Sequence, residues 1–174
     1  TADDYPTFQI TDGKAGKCLS LVTRSTGFFG QIAGMPIAAG NLFIGSFDVN
    51  NAMSNPLKAT KFGLPFRHVP TYLAGYYKYK AGDQFTEGGK PVNGKRDICD
   101  IYAIMYETSE SVPTLDGTNA FTSPNLISTA RINNAKETNE WTYFKLPFTT
   151  LPGKFIDKEK LMDGNCLLYT SDAA

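Results

Sequence analysis

Short segments rich in β-branched and aromatic residues recur along the chain, and none of them sustains a helical repeat over ten residues. Segments of this kind, bounded by turn residues, are typical of β-strands. The pattern predicts six strands, over residues 17–23, 41–49, 75–80, 98–107, 126–132 and 141–148. One helical turn is predicted over residues 157–162, where Lys, Glu and Leu favour helix. The chain is therefore predicted to be all-β.

Dipeptides that favour tight turns separate the predicted strands. They are Asp12-Gly13, Gly88-Gly89, Asn93-Gly94, Asp116-Gly117 and Pro152-Gly153. Short strands divided in this way indicate a sandwich or a barrel. Two longer connections that contain proline, residues 50–71 and 109–124, are predicted to be ordered surface loops, because proline restricts the backbone.

Length and charge narrow the class of protein. The 174 residues are enough for one full hydrophobic core, and 13% of them are aromatic, which supplies large side chains to fill it. Seventeen Lys and Arg residues balance seventeen Asp and Glu residues. Without a long run of one sign, the chain lacks the electrostatic footprint of nucleic-acid binding, so no nucleic-acid partner is expected. No apolar stretch approaches the roughly 20 residues that cross a bilayer.

The last nine residues, 166–174, resemble one reading frame of a transposon-end sequencing adapter. On that interpretation residues 1–165 are a single β-sandwich domain that lacks its last strand, and residues 166–174 are a non-native tail. The alternative is an ordinary apolar strand with a polar end. Without Cys166, only Cys18 and Cys99 remain, too few for a disulfide framework or a four-ligand zinc site. These two either pair with each other or are buried as small apolar side chains.

An ordered series of motifs carries a resemblance to a known family. The motifs are AGNLFIGSF at residues 39–47, FGLPF at 62–66, LAGYYKY at 73–79 and DIYAIMYE at 100–107. With these motifs, the chain from about residue 7 to residue 148 resembles the putative carbohydrate metabolism domain family of gut Bacteroidota. The resemblance implies a jelly-roll β-sandwich of two antiparallel sheets, similar to galactose-binding-like modules.

The same resemblance implies where such a protein works. Family members are carried on exported lipoproteins of the periplasm, outer membrane or cell surface, so a lipid anchor upstream is expected. They are associated with glycan utilisation, and the family pattern supplies no catalytic residues to transfer. This sequence departs from the pattern at its end, where members close with one more strand.

Few residues support catalysis. His68 is the only histidine, and its position in a proline-containing loop favours a polar loop residue over a general base. Glycoside hydrolysis needs two carboxyl groups about 5 Å apart or somewhat wider, and Asp97 and Asp100 are close enough in sequence to provide them. A glycoside hydrolase acting through Asp97 or Asp100 is therefore one alternative function. A structural or adhesin-like module that uses an open sheet edge is another.

No cofactor is expected, and calcium is the one ion that the composition leaves open. Calcium prefers hard oxygen ligands, and related sandwiches often hold one structural ion. The candidate ligands, none with the spacing of an ion-binding loop, are Asp3, Asp4, Asp48, Asn50 and Asn51.

Tyrosine supplies the strongest functional signal. Sugars present apolar C–H faces and rings of hydroxyl groups, so a binding surface needs flat aromatic rings with polar side chains beside them. In the strand over residues 75–80, alternation places Tyr77 and Tyr79 on the core face. Tyr76 and Lys78 then lie on the solvent face. Trp141 is assigned to the core, because it opens a strand of large apolar residues.

The strand over residues 98–107 is predicted to contribute to the same surface. Residues 101, 103 and 105 make the cleaner apolar face, so Asp100, Tyr102 and Tyr106 are expected to face solvent. If this strand lies beside the strand of Tyr76, the three tyrosines form one platform, with Lys78, Asp100 and Arg67 as its polar contacts. The predicted function is a non-catalytic carbohydrate-recognition domain that binds a polysaccharide or an oligosaccharide.

Overall fold

The computed structural model describes residues 5–32, 36–50, 52, 54–87, 90–133 and 135–173. Over these residues all strand pairings are antiparallel, and the prediction of an all-β fold is confirmed. The strands are β1 Thr7–Gly13, β2 Gly16–Leu21, β3 Arg24–Ser25, β4 Ile37–Ala38, β5 Asn41–Phe43, β6 Gly45–Phe47, β7 Thr60–Phe62, β8 Leu64–Pro65, β9 Tyr72–Tyr79, β10 Thr86–Glu87, β11 Lys90–Pro91, β12 Asp100–Glu107, β13 Leu126–Arg131, β14 Thr138–Pro147, β15 Thr149–Thr150 and β16 Cys166–Ala173. The helices are α1 Gly27–Ile32, α2 Pro56–Ala59 and α3 Lys158–Met162.

The first layer is a six-stranded sheet in the order β15-β13-β12-β16-β5, and β8 pairs with the other half of β16. At its centre β12 pairs with β13 on one side and with β16 on the other. Its six inner residues are buried, so both faces of this strand are covered. This sheet therefore contributes the middle of the core.

The predicted surface loop over residues 109–124 is folded onto one face of the sheet. Leu115 and Ala120 from this loop pack with Tyr102, Tyr106 and other buried residues of the first core cluster. The amide of Phe62 donates a 2.9 Å hydrogen bond to the carbonyl oxygen of Leu115, which ties the loop to β7. The loop is ordered, as predicted, and it also covers the sheet.

The opposite face of the sheet packs against α3 and the segment that precedes it. Met105, Ile127, Leu161 and Cys166 form this second cluster. Asp157 is the N-cap of α3, because its side chain accepts hydrogen bonds from the first free amides of the helix. The predicted helical turn over residues 157–162 is thereby confirmed.

Residues 166–173, set apart above as a tail, form β16 in the middle of the sheet. Cys166 and Tyr169 are buried there. None of the three cysteines, all within the described residues, forms a disulfide, and Cys99 is buried while Cys18 is half-buried. It stays a prediction that the natural gene encodes a different segment after Asn165.

The second layer consists of two separate ribbons over the face that carries Met105. One is the hairpin of β1 and β2, and the other is the pair of β9 and β14. Along β9 the burial alternates as predicted, with Tyr77 and Tyr79 facing the sheet and Tyr76 and Lys78 facing solvent. The neighbour of β9 is β14, whereas the predicted platform needed it to be β12.

Candidate carbohydrate-binding site

The outer side of the β9–β14 ribbon is aromatic. Tyr76 lies directly opposite Tyr143 in the register of the two strands, and their side chains are 47% and 54% exposed. Tyr72, four residue pairs further along the ribbon, is exposed on the same side. We call the outward surface of Tyr72, Tyr76, Tyr143 and the neighbouring Trp141 the aromatic face.

Packing on the inner side of the ribbon fixes this orientation. Gly75 lies opposite Phe144, and a Cβ atom at residue 75 would come within 2.9 Å of Cζ of Phe144. The glycine therefore leaves the space into which the inward Phe144 ring fits. With Phe144 held inward, strand alternation directs its neighbour Tyr143 to the outside.

Lysine side chains surround the aromatic rings. The Nζ atom of Lys145 is 4.1 Å from the ring centroid of Tyr72, and that of Lys14 is 5.5 Å from the ring centroid of Tyr76. Cation–π attraction at such distances holds each ammonium group near the ring while its hydrogen-bond donors stay in water. The aromatic face thus carries fixed donors around its rings.

Lys78 joins the aromatic face to the β1–β2 hairpin. Its Nζ atom is 4.9 Å from the ring centroid of Trp141 and 3.5 Å from Oδ2 of Asp12. Asp12 belongs to β1 and its side chain is largely exposed, so the carboxylate retains free acceptor positions. One donor and one acceptor therefore stand together at the edge of the Trp141 ring.

A groove of about 420 Å³ runs beside the aromatic face, between the β9–β14 ribbon and the β1–β2 hairpin. Leu42, Cys99 and Ile101 belong to its lining, and so do consecutive residues of β2 and β9. Among the described residues that line it, Asp12 is the single carboxylate. Burial raises the pKa of Tyr79, which also lines the groove, to about 12, with neighbouring Asp97 and Cys99 adding to the shift.

Tyr76 and Lys78 lie on this surface as predicted, but the expected orientation of Tyr102 and Tyr106 is wrong. Both are core residues, 9% and 0% exposed. The hydroxyl of Tyr106 donates to the carbonyl oxygen of Phe62, and the hydroxyls of Tyr102 and Tyr169 are 2.5 Å apart. The predicted platform of three tyrosines does not form, because the loop over residues 109–124 covers Tyr102 and Tyr106.

The remaining predicted contacts, Asp100 and Arg67, lie elsewhere. Asp100 forms two hydrogen bonds with Arg131, of 2.8 and 2.6 Å, and shares the sheet face of Tyr102. The hydrogen bonds to Asp100 raise the pKa of Arg131. Arg67 follows β8 and comes near Gly164, in the turn between α3 and β16. Neither is part of the aromatic face.

The described side chains among the other candidate catalytic and calcium-binding residues make contacts with residues close to them in the sequence. Oδ1 of Asp97 accepts a 2.9 Å hydrogen bond from the amide of Ile98, and the His68 ring packs against Phe66. Of the candidate calcium ligands, Asp3, Asp4 and Asn51 lie outside the described residues, and Oδ1 of Asp48 accepts from the amide of Asn50. No group of three metal-ligating side chains occurs in the described parts of the chain.

Sequence reasoning missed Tyr143 and misassigned Trp141, which is half-buried at the edge of the groove. Lys145 is the residue in the sequence that could have indicated the orientation of Tyr143. Lys78, and Lys80 just after the strand, had marked the solvent face of β9, and the same rule applied to Lys145 would have placed Tyr143 outward.

The fold and this surface define the class of the protein, a two-layer all-β domain with an exposed aromatic face. The chain belongs to the family described as "Putative carbohydrate metabolism domain", whose model matches residues 1–171. The family resemblance seen in the sequence motifs is thereby confirmed, and the molecule is a carbohydrate-metabolism domain.

Two solved structures share the fold and much of the sequence. A "putative glycoside hydrolase" from Bacteroides thetaiotaomicron VPI-5482 is 83% identical with a TM-score of 0.97, over 99% of this chain and 51% of that one. A "putative glycoside hydrolase" from Bacteroides vulgatus ATCC 8482 is 46% identical with a TM-score of 0.91, over 98% of this chain and 68% of that one. The chain thus spans about half the length of the first of these proteins.

None of the curated proteins is similar to this chain. Within the described residues, no helix has the length and apolar character needed to cross a membrane.

Proposed function

We propose that this chain is a non-catalytic carbohydrate-recognition domain that binds a polysaccharide or an oligosaccharide on the aromatic face. The observation that carries the proposal is the pair of Tyr76 and Tyr143, which lie side by side, half exposed, on a ribbon whose inner side is packed. Rings held in this way lose little conformational entropy when a ligand stacks on them.

The chemistry around the rings matches that of a sugar. The apolar C–H face of a pyranose can lie on Tyr76 or Tyr143, and a contact as strong as that of an aromatic pair would contribute about 0.5–1.5 kcal/mol. Lys14, Lys78 and Asp12 stand at the rim of the rings and offer donors and acceptors for hydroxyl groups. The net charge of zero over the whole chain favours a neutral glycan over a polyanion.

Binding is favoured over hydrolysis by the distribution of carboxyl groups. Hydrolysis by the usual route needs two carboxyl groups across the scissile bond, one of which is protonated. The described lining of the groove supplies only Asp12. Asp100, one candidate of the hydrolase alternative, is held by two hydrogen bonds from Arg131 and lies outside the groove. In keeping with glycan capture, we place the protein outside the cytoplasm, on an exported lipoprotein.

A glycan titration that follows the fluorescence of Trp141 tests the proposal. Trp141 is the only tryptophan of the chain and lies beside Lys78, so its fluorescence reports on the aromatic face alone. A panel of plant, host and microbial polysaccharides is added to the protein, and reducing ends are assayed in the same samples. The expected result is a saturable change in emission with at least one neutral glycan and no release of reducing ends. Release of reducing ends would favour the hydrolase, and no response to any glycan would contradict the binding site.

A further inference from the structure

A second cavity, separate from the groove, lies at the end of the aromatic face that Tyr72 occupies. Its volume is about 350 Å³, which is at the small end of the range for ligand pockets. Tyr72 is one of its lining residues, so the cavity is continuous with the aromatic face. Among the described residues that line it, none carries a charge. A group that enters this cavity must therefore be mostly apolar.

The fold fixes the walls of this cavity. Phe148 and Ile156 belong to its lining and pack against the second core cluster, and Val69 and Pro147 add further apolar surface. The amide of Phe148 donates a 2.9 Å hydrogen bond to the carbonyl oxygen of Thr71, which extends the pairing of β9 and β14 to the rim of the cavity. A ligand thus meets apolar walls that are already in place.

Ser128 of β13 is the buried polar residue of this lining, whereas Thr71 and Thr150 are exposed. Ser128 pairs with Met105 of β12, and paired residues share a face of the sheet, so its side chain lies on the face that the β9–β14 ribbon covers. It is 2% exposed, and its hydroxyl has no hydrogen-bond partner among the described residues. A buried hydroxyl without a partner is costly, so a ligand that bonds to it gains more than it would in water.

We propose that this cavity receives the acetamido group of an N-acetylhexosamine in the glycan bound on the aromatic face. The inference rests on the proposed function, because it names one sugar of the same ligand. The methyl group packs on Phe148 and Ile156, and the hydroxyl of Ser128 donates to the carbonyl oxygen of the acetyl group. An acetamido group combines a methyl group with a strong carbonyl acceptor. A ring hydroxyl would lose its water in the cavity without gaining an apolar contact.

The ring of this sugar has a place beside the cavity. Tyr72 is 54% exposed, and the Nζ atom of Lys145 is 4.1 Å from its ring centroid. The sugar ring rests on Tyr72, and Lys145 donates to its hydroxyl groups. Tyr72 lies four residue pairs from Tyr76, which is about 13 Å along a strand. The two tyrosines therefore contact different sugars of one chain.

An NMR titration of the protein with monosaccharides tests the cavity separately from the rest of the aromatic face. The methyl signals of Val69 and Ile156 report on the cavity, and the indole signal of Trp141 reports on the aromatic face. N-acetylglucosamine and N-acetylgalactosamine are expected to shift the cavity signals in a saturable way, whereas glucose and galactose leave them unchanged. Fucose, which offers a methyl group without a carbonyl group, is expected to bind there about 2- to 10-fold more weakly than the acetylated sugars.

The same titration distinguishes failure of this inference from failure of the proposed function. Equal responses of the cavity signals to acetylated and unsubstituted sugars, or to acetylated sugars and fucose, would overturn the inference, and so would no response to the acetylated sugars. A Trp141 signal that still shifts with a polysaccharide would then leave the proposed function standing. A Trp141 signal that no glycan shifts would contradict the proposed function.

Ser128→Ala isolates the hydrogen bond. The variant is expected to bind N-acetylglucosamine about 2- to 10-fold more weakly than the wild type. Its Tm should be unchanged or slightly higher, because the hydroxyl has no partner to lose among the described residues. Thr149→Ala is the matched control, since Thr149 is exposed on the neighbouring β15 and does not line the cavity. Undiminished affinity of Ser128→Ala would overturn the inference. A clear fall in its Tm would do the same, because the hydroxyl would then already have a partner within the fold.

Discussion

The rings of Tyr76 and Tyr143 lie with their centroids 5.2 Å apart and their planes inclined by 52°, on two strands that are 67 residues apart along the chain at this pair. This distance is typical of aromatic pairs that attract each other. The two rings therefore stabilise each other's orientation on the open side of the ribbon. A ligand meets a surface that is already arranged.

Replacement of either ring is expected to weaken glycan binding without unfolding the protein. Tyr76→Ala and Tyr143→Ala should each lower the affinity for an identified glycan by about 2- to 10-fold, the equivalent of one lost stacking contact. Because both side chains are half exposed, the free energy of unfolding should change by less than about 1 kcal/mol. Calorimetric titration gives the affinity, and urea denaturation gives the stability. Tyr5→Ala is the control, since Tyr5 is exposed and is not one of the residues of the aromatic face. Unchanged affinity in both variants would contradict the site.

Tyr102 is expected to behave in the opposite way. It is buried between the sheet and the loop over residues 109–124, so Tyr102→Ala should cost about 3–5 kcal/mol of unfolding free energy. Tyr106→Phe should cost about 1–3 kcal/mol, because the carbonyl oxygen of Phe62 and the amide of Leu115 each lose a buried partner.

Binding provides the decisive control for the Tyr102 and Tyr106 variants. At a temperature where Tyr106→Phe is fully folded, its affinity for the glycan should equal that of the wild type. Reduced affinity with undiminished stability would show that these tyrosines contact the ligand after all.

The contrast between β9 and β12 shows what local sequence can settle. Lys78 in β9 and Lys80 just after it mark the solvent face, so alternation placed Tyr76 and Lys78 correctly. The motif of β12 is almost entirely apolar, which is compatible with a strand covered on both faces. The charged residues of β12, Asp100 and Glu107, stand at its two ends and on opposite faces, so alternation could not tell the faces apart. Arg131 engages Asp100, and Lys160 engages Glu107.

The choice of strand neighbours could not be made from the sequence. Strands are found in all six predicted segments, because the turn signals that bound them are local, but β1 and several short strands were not predicted. Pairing of β9 with β14 joins segments separated by the whole of β12 and β13, and several equally apolar strands compete for that position. The predicted platform failed at this step, since it assumed that β9 and β12 were adjacent.

Alkaline pH is expected to destabilise the protein in part through Tyr79. Burial raises the pKa of Tyr79 to about 12, whereas in the unfolded chain it is near 10. Between these values the unfolded chain has lost the proton and the folded chain has kept it, so stability is complete below pH 10 and falls as pH rises toward 12. A difference of two pKa units between the folded and the unfolded chain corresponds to about 2–3 kcal/mol of unfolding free energy.

Tyr79→Phe isolates this contribution. Phenylalanine does not titrate, so the variant should lose less stability than the wild type between pH 9.5 and 11.5, roughly the span of the two pKa values. At pH 7 the variant should be as stable as the wild type or slightly more stable, because the buried hydroxyl has no partner among the described residues. Buried Tyr169, whose pKa is also raised, titrates in both proteins, so only the difference between them is interpreted. Parallel stability curves for the two proteins would show that Tyr79 is accessible to water.

The segment after Asn165 carries the last prediction, which concerns the gene. Residues 166–174 resemble adapter sequence, yet residues 166–173 form a strand in the centre of the sheet, where Tyr169 stacks on Phe62 with 4.0 Å between ring centroids. Any natural segment at this place must satisfy the same core. We therefore expect sequencing of the locus from genomic DNA, without adapters, to replace codons 166–174 by others. The replacement should still encode apolar residues at positions 166 and 169, because both side chains are buried, and a further strand should follow it. Recovery of the same nine codons from genomic DNA would show that the segment is native and that the adapter resemblance is a coincidence.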